Sequence, residues 1–83
     1  MEYTQEDIDR KIASIQPSVD VIDEVIADSE RYASFTEEEK ADAVDRNYRH
    51  IEIILGKEEV AAQIEDATPY TDAIARAKAY LNI

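Results

Sequence analysis

Apolar residues in the first segment recur with a regularity that leaves few folds open. Ile8, Ile12, Ile15, Val19, Ile22, Ile26, Ser29 and Ala33 stand at spacings of 4, 3, 4, 3, 4, 3 and 4. Side chains three and four residues apart share one face of an α-helix, so this is a helical stripe. It persists for more than three heptads and has the form of a coiled-coil seam. The start is signalled too. Thr4 precedes the first turn as a cap, Asp7 takes the third helical position, and Tyr3 is placed to pack on Ile8. Glu6, Asp7 and Asp9 lie near the positive end of the helix dipole and Arg31 near the negative end.

Pro17 complicates this stripe. It has no amide hydrogen, and its ring crowds the carbonyl four residues back, that of Ala13. The seam nevertheless passes Pro17 without changing phase. Two arrangements satisfy both facts: one kinked helix over residues 5–33, or two nearly collinear helices meeting about Gln16. An unbroken helix would be about 43 Å long, which makes the molecule elongated.

The remainder reads as further helices. Thr36 with Glu39 forms a capping box, three acids occupy the first turn, and Gly56 is the expected left-handed stop. Between them, Ala41, Val44, Tyr48, Ile51 and Leu55 make the predicted buried stripe. Residues 57–65 predict a short helix with Val60, Ala61 and Ile64 inward. Thr68 then caps a last helix with Pro69 at its first position, reaching about Leu81 with Tyr70, Ile74, Ala77 and Leu81 on one face. Ala73, Ala75, Ala77 and Ala79 permit close approach to a neighbour. No alternating strand pattern occurs, and one Gly rules out glycine-rich turns and phosphate loops. The expected class is all-α, a helical hairpin or three-helix bundle forming a single domain over residues 1–83, with a long first helix that Pro17 either kinks or divides and a short helix before the last one.

Charge and composition narrow the function classes. Twenty acids against nine Lys plus Arg give a formal charge of -11, which disfavours direct nucleic-acid binding because phosphate backbones are held by clustered cations. Without Cys there is no disulfide framework and no Cys-ligated metal. The acidic N-terminus is unlike a signal peptide, and no apolar run approaches a membrane span, so a cytoplasmic protein without membrane partners is expected. His50 is the only imidazole, which excludes a two-His metal site; it reads as a helix His pairing with a nearby acid. Asp20 with Asp23 and Glu24, and Asp42 with Glu38 and Asp45, share helical faces but match no calcium loop or Glu-x-x-His pattern. No catalytic residue, metal ligand or cofactor site is expected, and an enzyme is not.

Three stretches carry a resemblance: Tyr3-Thr4-Gln5-Glu6-Asp7-Ile8-Asp9, Arg46-Asn47-Tyr48-Arg49-His50-Ile51-Glu52-Ile53-Ile54-Leu55, and Ile74-Ala75-Arg76-Ala77-Lys78-Ala79-Tyr80-Leu81. Together they cover about a third of the chain and resemble small uncharacterised helical proteins encoded among the structural genes of tailed bacteriophages. The resemblance implies a virion component or assembly adaptor and carries over no functional residue.

The expected role is thus a structural or adaptor subunit that binds a protein partner or further copies of itself. Ile8, Ile12, Ile15, Val19, Val21, Ile22, Val25 and Ile26 are the candidate interaction residues, because Val21 and Val25 widen the seam beyond what one facing helix covers. The alternative is that the second and last helices cover the seam completely. Asp20, Asp23, Glu24 and Asp28 form a candidate acidic face, and the competing function is an acidic inhibitor that imitates nucleic acid and blocks a basic site on a host protein. Salt separates the two, since screening strengthens homomeric association of like-charged surfaces and weakens docking onto a basic partner.

Overall fold

Residues 3–83 are described by a computed structural model in which each helix starts where local chemistry satisfies its first amides. The Thr4 hydroxyl accepts the Asp7 amide hydrogen at 3.1 Å and opens α1, Gln5–Ala13. α2 follows after a single residue as Ile15–Ile26. The junction is therefore Ser14, not Gln16, and of the two expected arrangements the chain takes the two-helix one. Pro17 explains the position. Its missing amide leaves the Ala13 carbonyl without the usual helical partner, while as the third residue of α2 it needs no intrahelical bond. Ser14 stays in the right-handed region at φ -76° and ψ -11°, so the chain keeps its general direction and the seam its phase.

The first helical segment ends earlier than residue 33. Asp28 turns left-handed at φ 59°, its amide donates to the Val25 carbonyl at 3.1 Å, and the Ser29 amide donates to Glu24 at 3.0 Å. This is a Schellman closure built on Asp where Gly is usual. Ser29 and Ala33 thus leave the seam, and a short 3-10 turn, Glu30–Tyr32, buries the Tyr32 ring in their stead.

α3, Glu37–Leu55, carries the expected capping box: the Thr36 hydroxyl accepts from the Glu39 amide at 3.1 Å and the Glu39 carboxylate accepts from the Thr36 amide at 2.8 Å. Its buried stripe is Ala43, Val44, Tyr48, Ile51 and Ile54, rotated slightly from the predicted one, with Ala41 and Leu55 only half-buried. Gly56 is not left-handed; it sits at φ -76° and ψ -12° because the chain proceeds through Lys57 directly into α4. That helix, Glu58–Ala61, is one turn shorter than expected at its C-terminal end and is anchored by the fully buried Val60. α5, Thr68–Leu81, starts one residue early, with Pro69 at its second position. The Asp66 carboxylate, not Thr68, accepts a first-turn bond, from the Thr68 amide at 3.0 Å.

Contacts between Ser14 and His50 at one end and Asp28 and Lys40 at the other set α3 antiparallel to α1 and α2. Arg76 reaches Asp23, and Tyr70 lines a recess with Ile12, so α5 runs alongside α2 in the same sense. The result is an all-α three-helix bundle of 40 × 21 × 20 Å, with α1 and α4 closing one end. Ala73 and Ala77 are fully buried, and their small side chains let α5 lie close over the α2–α3 seam. About 75% of the described residues are helical and none is in a strand.

Two measurements test this account. Pro17→Ala removes a residue that the first turn of α2 tolerates, so it lowers stability by up to about 1 kcal/mol through a freer unfolded chain, and thermal melting checks it. Continuity of one strained helix would instead raise the melting temperature. At Asp66, hydrogen bonds from the Thr68 side chain and then its backbone hold the carboxyl below the ordinary value of 3.8. A lowered folded pKa stabilises above the unfolded value and loses that contribution as pH falls through the folded one. Asp66→Ala therefore melts earlier than wild type at neutral pH, and the difference closes in acid below about pH 3.8.

Candidate functional site

The eight apolar candidates of the first segment separate by position. Ile8, Ile15, Val19, Ile22 and Val25 are buried in the core, the last four on α2 where it packs against α3 and α5, and Ile12 and Val21 are half-buried and packed on its margin. Only Ile26 remains substantially exposed, at 40%. The widened face that Val21 and Val25 create is covered by two helices, α3 and α5, instead of one. Among these eight, the surface left for a partner is thus Ile26, at the end of α2. Ile22 serves the fold: Ile22→Asp forfeits about 2–5 kcal/mol of packing before the cost of burying a carboxylate, and should abolish the helical circular-dichroism signal at room temperature. Ile26→Asp should leave that signal intact.

The acidic face is largely engaged within the chain. Arg76 holds Asp23 through two hydrogen bonds at 2.9 and 3.2 Å, Arg31 pairs with Glu24 at 3.3 Å, and Lys40 reaches Asp28 at 3.4 Å. Asp20 accepts a hydrogen bond from Gln16 at 2.9 Å. The Lys40 side chain is only 12% exposed, and burial would lower its pKa, but Asp28 and Glu37 hold the ammonium above its usual range. Among the described residues, no three His, Cys, Asp or Glu side chains converge as a metal site.

Two surfaces stand out instead. The first is an apolar end. α2 stops at Ile26, Phe35 immediately precedes the cap of α3, and α5 delivers Tyr80 and Ile83 to the same end because it runs parallel to α2. All four are exposed, Ile83 to 70%, and Phe35 stacks edge-on to the buried Tyr32 with ring centroids 5.0 Å apart. Glu30, Glu37 and Glu38 flank Phe35 in sequence and are exposed. No single stretch of sequence pointed to this end, since it is assembled from three chain segments.

The second is a groove of about 270 Å³ beside the α1–α2 junction, lined by α1, by His50 and Ile54 of α3, and by Lys57. His50 pairs with no acid among the described residues. Its Nε2 lies 2.8 Å from the Ser14 hydroxyl, which in turn lies 2.6 Å from the Lys11 carbonyl. The hydroxyl has one hydrogen and donates it to that carbonyl, so the Nε2–H donates to Ser14. The bond thus joins α3 to the exposed carbonyl end of α1. Lys11 and Lys57 place their ammonium groups 5.0 and 5.7 Å from the Tyr3 ring centroid. Neither has a carboxylate partner among the described residues. Arg10 beside them is taken up by Glu6 at 3.3 Å and Asp7 at 3.7 Å.

No protein-family model matches this chain, and neither curated proteins nor solved structures give a match. No helix is long and apolar enough to cross a membrane among the described residues.

Proposed function

We propose that the protein is a non-enzymatic structural or adaptor subunit of a larger assembly, and that it docks through the apolar end of its bundle. The observation that carries this reading is the exposure of Ile26, Phe35, Tyr80 and Ile83 at one end. Large apolar side chains gathered on a surface and rimmed by charge mark interaction sites. The acids around them specify the occupant: a partner segment with apolar anchors and Lys or Arg at its margins, which Glu30, Glu37 and Glu38 would complement.

The non-enzymatic part rests on the Ser14–His50 pair. A serine nucleophile needs its proton accepted by the imidazole, whereas Ser14 gives its proton to the Lys11 carbonyl. An acidic nucleic-acid mimic draws less support, because Asp23, Glu24 and Asp28 are already neutralised by Arg76, Arg31 and Lys40. In the phage setting implied by the sequence resemblance, the assembly would be a virion.

Affinity capture from the native source tests the reading, comparing wild type with a Phe35→Asp/Ile83→Asp variant at low and high salt. The expected result is a partner retained at high salt by wild type, lost with the variant, and present with the protein in many copies. A partner kept by the variant and released by salt would replace this reading with the acidic-inhibitor one.

A further inference from the structure

In a chain of net charge -11, a place where cations outnumber acids is informative. Of the nine Lys and Arg residues, Arg10, Arg31, Lys40, Arg49, Arg76 and Lys78 are engaged with carboxylates. Lys11, Lys57 and Arg46 have no carboxylate partner among the described residues, and two of these three line the same groove. They come from elements 46 residues apart in sequence, so their meeting is a product of the fold. Helix C-termini attract cations, which accounts for Lys11 in the last turn of α1. Lys57 likewise follows the Gly56 cap of α3, so both lysines stand at helix C-termini.

We propose that this groove binds a small phosphate monoester as its dianion, with the ester's apolar body against Ile54. Charge sets the ligand's valence. Among the lining residues Arg10, Lys11 and Lys57 face one carboxylate, Asp7, which leaves two positive charges in excess, and a phosphoryl dianion matches both while a carboxylate matches one. Both ammoniums rest beside the Tyr3 ring, which restricts long side chains that would otherwise lose freedom on binding. Lysine contacts phosphate as a point charge and needs no fixed fork geometry. Size sets the rest. At about 270 Å³ the groove lies below the usual range for drug-sized ligands and suits a compact one. The Ile54 side chain gives it an apolar wall, while Ser14 and His50 border it with polar atoms.

Nitrogen-15 NMR titration of the full chain with phenyl phosphate, inorganic phosphate and benzoate tests the proposal. Phenyl phosphate should shift the amides of Ser14, His50 and Lys57 saturably, and bind more tightly than either of the other two. Lys11→Gln and Lys57→Gln should each weaken it about fivefold. Arg46→Gln, which removes the remaining unengaged cation away from the groove, should leave affinity unchanged. The proposal is overturned by an unsaturated response at millimolar phenyl phosphate, by benzoate or inorganic phosphate binding as tightly, or by Arg46→Gln weakening binding as much as the lysine variants. Circular dichroism of each variant separates loss of the site from loss of the fold.

Discussion

Burial along the α2–α3 seam is the constraint on which the remaining structure depends. Ile15, Ile22, Val44 and Ile51 lose all contact with water there, and each such side chain contributes about 1.5–3 kcal/mol. A small helical chain has few other sources of stability, because isolated helices of its lengths are marginal and its surface charges repel one another. The other elements are arranged around this seam. α5 lies over it through Ala73 and Ala77, α4 adds Val60, and Tyr32 seals the end where the chain reverses.

The charge distribution follows from the same geometry. Once α3 folds back antiparallel on α2 and α5 runs alongside, Arg76 meets Asp23 and Lys40 meets Asp28 across helix boundaries. Such exposed pairs contribute little individually. Their larger effect is to place opposite charges where like charges would otherwise accumulate. Exposed acids are spread along the whole bundle, while ammonium groups without a carboxylate partner among the described residues border the groove. The apolar end and the groove thus lie at opposite ends of the bundle and differ in chemistry, one apolar and one cationic.

Local chemistry was readable from the sequence wherever a few neighbouring residues decided it. The Thr4 cap, the Thr36–Glu39 box and the heptad stripe from Ile8 to Ile22 rest on spacings of a few residues, and each is present. The stop at Asp28 was not readable, because a left-handed closure is ordinarily marked by Gly or Asn and here falls on Asp. Gly56 misled in the opposite direction: its freedom to turn left-handed is unused because α4 follows at once. The Ser14–His50 bond and the meeting of Lys11 with Lys57 join residues far apart in the chain. The apolar end likewise depends on α5 running parallel to α2. The stripe itself was visible, but whether α3 and α5 or a second molecule would cover it was a question of tertiary arrangement.

The interruption at Ser14 also divides the molecule in time. α1 is nine residues long and buries only Ile8 completely enough to count as core, whereas α2 contributes Ile15, Val19, Ile22 and Val25. Without hydrogen-bonded continuity through Pro17, α1 need not melt together with α2. It shares contacts with α4, which is itself a single turn. These two segments form a lower tier of stability that opens while the α2, α3 and α5 tier stays closed, and amide hydrogen exchange would resolve them as separate cooperative units. Since Lys11 and Lys57 belong to the outer tier, a ligand that bridges them would slow that opening and extend the protected region toward the N-terminus.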